Sequence, residues 1–458
     1  MKNTFAGEKN IYYDKTSGNI SADLDTFKLA GRGLNREAVF DFLLYNIVLP
    51  PNSVYQGINT LFPGQEFPSL KNEEYSELAH TAKTRFQGPE AFAKRLDKIL
   101  QEYFAATVAR DKPTALMLSG GIDSAIIASY LPKDTVCVTW GGWGEGTTDV
   151  TFAKKNFSRF GLKEHLLAIV DYGHDEDIYK QALKQTGQLF SFTASVPHLR
   201  MSQRLSEYFG AERSYQLFMG QNADTISGAY LATEHIYYWP KINWLWQWLP
   251  WQKIYNEKRK WFLPSTTNPV ELMAFFHSCA IYPGPWINVP AGYFENKLSQ
   301  VEEQIGKKIE KFRDHILMHE LMTEARRNQY VQNNLPPLYG ASVATPYYNK
   351  EVVKLFMEVP FWVRMSGKFD KVVFKELALL RGVPAEVIAK GKKGMSYGYQ
   401  DYLAQKRHIP VWNEMERHAL LGEFVDIKMI RKKLQDNFPT YDQLMSLYNY
   451  LTLVLGKK

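Results

Sequence analysis

The chain has 458 residues, of which 45% are hydrophobic and 22% charged, with a formal net charge of +7. That length allows two or three domains with sizeable cores, the composition excludes a disordered chain, and the mild positive charge suits an anionic ligand without requiring nucleic acid. Two cysteines exclude a disulfide framework, no uncharged apolar run approaches the ~20 residues that span a bilayer, and "MKNTFAGEKNIYYDK" has no secretory apolar region, so the expected compartment is the cytoplasm.

Residues 10–30, "NIYYDKTSGNISADLDTFKLA", predict a short hairpin of aromatic strands around a Ser-Gly-Asn turn. "NREAVFDFLLYNIVL" reads as a helix stopped by Pro50-Pro51. "EAFAKRLDKILQEYFAATVARD" has the apolar spacing of an amphipathic helix. From residue 114 strand and helix alternate: "TALMLS", "SAIIASYL", "TVCVTWG", "DVTFAKKNFSRFG" and "EHLLAIV", then two helical runs and the strand "SYQLFMG". Such alternation predicts a doubly wound parallel sheet with ligands at the carboxyl ends of its strands. Within it, Cys137 is expected as a buried small side chain. From residue 300 the chain is mostly helical. Residues 235–262 hold six of the eleven tryptophans; they read as an aromatic helical pair packed on the core, or else as a wall for an apolar substrate or partner.

The stretch most informative about chemistry is "LMLSGGIDS". Two adjacent glycines permit a tight turn and a close backbone approach to a bulky anion. The turn feeds Asp123 and Ser124 into the first turn of a helix, whose free N–H groups favour phosphate. Ser119 and Ser124 add hydroxyls. A carboxylate at Asp123 beside an anion requires a cation such as Mg²⁺ between them. Neither a Walker loop nor a G-x-G-x-x-G is present at this turn. "LFMGQNAD" starts at a second strand end, so the two loops can share one pocket. His315 and His319 share a helix face without a third ligand, and are read as structural. "DYGHDEDIYK" (171–180) is read as a solvated loop capping the next helix, and "EKRKWF" as a solvated helix end.

Five segments in order carry a resemblance to the synthetase domain of the asparagine synthetase family, within the pyrophosphate-loop ATP-hydrolysing superfamily. They are "FDFLLYNIVLPPNSVYQGINTLFPGQ" (41–66), "SGGIDS" (119–124), "LFMGQNADTISGAY" (217–230), "ATPYYNKEVVKLFMEVP" (344–360) and "AKGKKGM" (389–395). The chain is also similar to the β-lactam synthetase and lasso-peptide cyclase relatives. The resemblance implies an α/β fold of the adenine nucleotide α-hydrolase type, with a large helical C-terminal part and a vestigial N-terminal β hairpin. Residues 1–35 would be the remnant of a glutaminase-type domain. Residues 36–458 would form the synthetase domain, with its nucleotide core at 119–230 and a helical part at 300–458.

The chemistry implied is ATP-dependent: a carboxylate attacks the α-phosphorus, pyrophosphate leaves, and an amine displaces AMP to form an amide. Asp123 and Asp224 would hold Mg²⁺. Ser119, Gly120, Gly121, Asp123 and Ser124 would grip the pyrophosphate. Lys392 would contact pyrophosphate and steady the charged intermediate, with Lys393 competing for that role. Leu116, Leu118, Val138, Thr139, Met219 and Gly220 would form the adenine and ribose pocket. The expected partners are a small-molecule or peptide carboxylate, an amine, and a separate glutaminase or pathway protein.

Departures from the family pattern narrow this reading. Residue 2 is Lys2 and no cysteine precedes Cys137, so glutamine hydrolysis by the family's N-terminal nucleophile is not expected. Gln221 and Thr225 stand where glutamates flank the second loop's Asp, leaving Glu257 and Glu271 as candidate bases. Ser342 and Ala344 replace a Glu and an Arg, which argues against aspartate as substrate.

Overall fold

The computed structural model describes residues 1–29, 31–81, 87–142, 147–227, 268–278, 280–282, 284–306, 318, 320–322, 324–359, 371–390, 399–434 and 437–456. Two sheets organise them. In the smaller, β1 (Tyr12–Asp14) pairs antiparallel with β2 (Ile20–Ser21) on one side and β3 (Ile58–Thr60) on the other. The expected hairpin is therefore present. Its third strand comes from beyond residue 35, so the sheet draws on both sides of the boundary expected from sequence. The next helix, Arg36–Tyr45, starts on the Asn35 side chain, which accepts from the Glu37 N–H. It stops at Asn46 in a left-handed conformation, φ 59°, earlier than Pro50-Pro51 implied.

The larger sheet is five-stranded and parallel throughout: β4 (Thr114–Met117), β5 (Val136–Gly142), β6 (Glu164–Ile169), β7 (Tyr215–Phe218) and β8 (Ala341–Ala344). Their spatial order is β6-β5-β4-β7-β8. Helices cover both faces, so strand residues are apolar in either direction. Ala115, Val138 and Leu217 enter one hydrophobic core, while Leu116, Cys137 and Phe218 enter the other. Cys137 is fully buried, and burial pushes its thiol up to about 12. The strand β8, with the sequence Ala-Ser-Val-Ala, escapes propensity reading: it is short, lacks a β-branched run, and is placed by pairing with β7 and by burial of Ala341 and Ala344.

The chain builds β4, β5 and β6 outward in one direction, then returns to add β7 and β8 on the opposite side of β4. Strand order thus reverses between β4 and β7. In open α/β sheets the crevice at such a reversal is where ligands bind.

Polar groups fasten the helical layers to each other. Asp41 is fully buried and receives Lys297 Nζ at 2.8 Å, Asn52 Nδ2 at 2.8 Å and the Tyr293 hydroxyl. This ties Arg36–Tyr45 to the helix Tyr293–Ile305. Asp442, on the helix Phe438–Leu453, accepts from Thr193 N at 3.0 Å, Thr193 Oγ1 at 2.8 Å and Ser191 Oγ at 3.1 Å. Burial nevertheless pushes its carboxyl up to about 6 from the ordinary 3.8. The folded state therefore holds this proton more tightly than the unfolded chain. Its contribution to stability is full below about pH 4 and is lost as pH rises through about 6, a change on the order of 3 kcal/mol. Urea midpoints from pH 4 to 7 should show that fall, and Asp442→Asn should flatten it; an unchanged slope in the variant contradicts the assignment.

Among the described residues no helix is long and apolar enough to cross a membrane.

Candidate functional site

The strand β4 ends at Met117 and turns through Ser119-Gly120-Gly121 into the helix Ile122–Ala128. Its hydroxyls brace the turn. Ser124 Oγ accepts from Ser119 N at 3.0 Å and lies 2.9 Å from Ser119 Oγ, which in turn accepts from Gly121 N at 3.2 Å. Ser124 is 3% exposed and closes the loop from inside, whereas Ser119 is half-buried. Gly120 shows why the motif needs glycine. A Cβ there would lie 2.6 Å from Lys390 Nζ, and 2.8 Å from both the Asp149 carbonyl oxygen and Phe152 Cβ.

The second loop leaves β7 at Phe218 and carries Met219-Gly220-Gln221-Asn222 into the helix Ala223–Ser227. It presses against the first. A Cβ on Gly220 would stand 3.1 Å from Ser124 N and 3.3 Å from the Asp123 carbonyl carbon. Asn222 takes a left-handed backbone, φ 77°, and its Nδ2 donates to the Tyr347 carbonyl at 2.7 Å; the Tyr347 hydroxyl donates to the Asp123 carbonyl at 2.8 Å. The segment after β8 therefore clamps both loops. Gly220→Ala should force them apart by a few tenths of an ångström, at about 1–3 kcal/mol. We expect ATP affinity to fall roughly tenfold or more, read by equilibrium dialysis; wild-type affinity would show that the loops do not jointly hold the nucleotide.

Asp123 and Asp224 do converge, and the group between them is the ammonium of Lys371. Lys371 Nζ lies 2.5 Å from Asp224 Oδ1 and is also ion-paired with Asp123 Oδ2. Lys371 is 9% exposed and sits at φ 60°. Burial by itself lowers the ammonium's proton affinity, but the two carboxylates outweigh it and hold the pKa above the ordinary lysine range. A second cation flanks the turn: Lys390 Nζ lies 3.1 Å from Asp149 Oδ1, which also accepts from Gly120 N at 3.1 Å.

Neither Lys371 nor Lys390 was singled out from sequence. Lys390 lies inside the quoted "AKGKKGM", and Lys371 opens the helical run "KVVFKELALLRG". Lysines at segment starts are too common to mark a site until the fold brings them together. Lys392 and Lys393 lie outside the described residues, as do Glu257, His315, His319 and the tryptophan-rich 235–262.

The residues expected around adenine and ribose stand at or just past the carboxyl ends of β4 and β7 and, for Val138 and Thr139, in the middle of β5, but their side chains are closed into the core. Leu116 and Val138 are 0% exposed, and Leu118 and Met219 are nearly as buried. Thr139 Oγ1 donates to the Leu118 carbonyl at 2.6 Å. Gly220 alone keeps partial exposure. Gln221 is half-buried and Thr225 buried. Ser342 and Ala344 lie on β8, in register with Gln216 and Phe218. Glu271 accepts from the Tyr282 hydroxyl. Residues 171–180 are not the expected solvated loop: only Asp171 lies outside the helix Tyr172–Thr186, which it caps, and within that helix Asp175 is buried with Arg200 Nε at 3.3 Å.

Asp123 and Asp224 are a donor set suited to a divalent cation: two hard oxygen ligands converge on one cationic position. Among the described residues no cluster of three metal-ligating side chains occurs, so further ligands would be phosphate oxygens and water.

A family model described as asparagine synthase matches residues 95–451. Among solved structures, an NH3-dependent NAD synthetase from Campylobacter jejuni is 15% identical with a TM-score of 0.22, over 32% of this chain and 63% of that one. An NMN synthetase from Francisella tularensis is 16% identical with a TM-score of 0.21, over 32% and 61%. The chain thus spans less than two thirds of the length of either. A search of the curated proteins found no match.

Proposed function

The chain belongs to the asparagine synthase family of ATP-using synthetases, and from that premise we propose that it adenylates a substrate carboxylate and couples it to an amine. A carboxylate oxygen attacks the α-phosphorus of ATP and pyrophosphate leaves. The amine nitrogen then attacks the acyl carbon, AMP leaves, and the amine's proton passes to solvent. The observation that carries this reading is the meeting of Asp123 and Asp224, from two distant loops, on one cationic point at the reversal of strand order.

Asp123 and Asp224 would hold Mg²⁺, which when bound neutralises the triphosphate. The backbone of 119–121 supplies a close approach for the polyphosphate. Lys371 and Lys390 place positive charge near the two ends of the turn 120–123, where negative charge grows as pyrophosphate departs. Lys392 is assigned to the same task from the family motif. The residues at 221 and 225 are not carboxylates, which supports an amine that arrives unprotonated, and Ser342 and Ala344 support a specialised acid other than aspartate. The nitrogen is assigned to an amine substrate or to ammonia supplied by a separate glutaminase.

One observation favours a second reading, a nucleotide site without catalysis: the ammonium of Lys371 already stands between the two aspartates. A single experiment separates the two. Purified protein is incubated with ATP, Mg²⁺ and a metabolite extract, and AMP, pyrophosphate and new masses are scored. The ligase reading expects AMP and pyrophosphate in equal amounts together with a new amide. Bound ATP with no turnover supports the silent reading, and formation of ADP overturns both.

A further inference from the structure

The helix Glu324–Asn334 is unusual in being polar and buried together. Arg326 and Gln329 are 1% exposed, Gln332 0% and Asn333 7%. At 100° per residue these four fall within one arc of the helix, and among the described residues all four carry hydrogen-bonding atoms without a hydrogen-bond partner: Arg326 Nε and Nη1, both amide atoms of Gln329 and of Gln332, and Asn333 Nδ2. Buried polar groups in folded proteins are almost always satisfied, and each that is not costs about 1–3 kcal/mol. A row of them over eight positions, roughly 10 Å of helix, indicates an interior lined for something other than hydrocarbon.

The charge sharpens the point. A buried guanidinium normally faces a carboxylate. Among the described residues Arg326 has no such partner; its one hydrogen bond goes from Nη2 to Asn10 Oδ1 at 2.6 Å. Asn10 in turn donates to the hydroxyls of Tyr12 at 3.0 Å and Tyr330 at 2.9 Å. Burial lowers the arginine's proton affinity, and the groups that oppose this are tyrosines, Tyr348 among them. Tyr348 adjoins Tyr347, the residue that holds the Asp123 carbonyl, so this buried charge acts on the neighbour of the clamp and lies outside the set of residues assigned to ATP.

We infer that Arg326, with the amides of Gln329, Gln332 and Asn333, forms a binding site for a small oxyanion-bearing ligand, its carboxylate or phosphate on the guanidinium and its other polar groups along the helix. The site goes beyond the nucleotide chemistry and stands or falls separately from it.

The test is thermal unfolding of the full chain in sodium phosphate, in sodium succinate and in sodium chloride at matched ionic strength. Phosphate or succinate should raise the melting temperature saturably, by about 3 °C or more over chloride, and whichever acts more strongly identifies the group bound. Arg326→Gln should lose that increment. Gln329→Glu places a carboxylate one turn from the guanidinium; it should melt higher than wild type in chloride and no longer respond to either anion, which keeps the test valid if Arg326→Gln folds poorly. The increment should persist in Lys371→Met, which alters the nucleotide loops. Equal melting of wild type in all three salts overturns the site and leaves water as the filling of this interior. So does an increment retained in Arg326→Gln, one lost in Lys371→Met, or a destabilised Gln329→Glu that still responds.

Discussion

Asp123→Ala is expected to reduce substrate-dependent pyrophosphate release by about 10³-fold or more, with the protein still folded. The magnitude follows from what the carboxylate does. In the proposed reaction it holds half of a cationic position on which the triphosphate charge depends, and electrostatic stabilisation of this kind is commonly the largest single contribution to a rate. Asp224→Ala should produce a loss of the same order, because the two carboxylates act on one cation and neither suffices alone. The double variant should therefore be little worse than either single one, since residues acting as a unit are strongly non-additive. The assay is pyrophosphate release with the extract-derived substrate, with circular dichroism to confirm folding. Turnover within tenfold of wild type in either single variant would show that the site lies elsewhere.

Lys371→Met should give the second large effect, in two separable parts. The first is catalytic: loss of a buried positive charge near the departing pyrophosphate should lower kcat by about 10²–10³-fold. The second concerns stability. Without the ammonium, Asp123 and Asp224 face each other with no cation between them, which should cost about 1–3 kcal/mol, a figure reduced from that of a fully buried pair because both carboxylates are partly exposed. Divalent cation reverses this second part. Millimolar Mg²⁺ without nucleotide should restore the melting temperature of the variant, while wild type, whose cationic position is already filled by lysine, should respond little. A variant that melts like wild type in the absence of Mg²⁺ and retains kcat would remove Lys371 from the site.

The fold was legible where apolar runs coincide with element boundaries. "TALMLS", "TVCVTWG" and "SYQLFMG" could be read because both faces of the sheet are covered there and the strands are buried along their length, whereas the edge strand in "EHLLAIV" keeps Glu164 and Ile169 exposed. The strand β8 was not legible, since "ASVA" has no such pattern; it pairs with β7 and buries Ala341 and Ala344 in the two cores. At the site, the two aspartates and the glycines of the turn could be read from local chemistry, because an apolar strand, two adjacent glycines and an Asp-Ser helix start follow one another within one short stretch. Lys371 could not. It lies far along the chain from the loops it joins, and only the tertiary fold gives its ammonium two acidic partners. Arg326 was hidden for a related reason: "EARRNQYVQNN" has the composition of a solvated helix, and its burial is decided by elements remote in sequence.

The reversal of strand order bears on when during synthesis this protein can first recognise a nucleotide. A nascent chain that has emerged through Phe209 already contains the glycine turn and three neighbouring strands, yet it holds one carboxylate and no place for the second. The loop at 219–224 docks only after β7 has inserted beside β4, and the lysine that joins them is made some 150 residues later. Such long-range closure is slow compared with local helix formation. On the proposed function, nucleotide recognition is thus reserved for a chain synthesised through Lys371, and shorter products of translation are unable to engage ATP through this pair of acids.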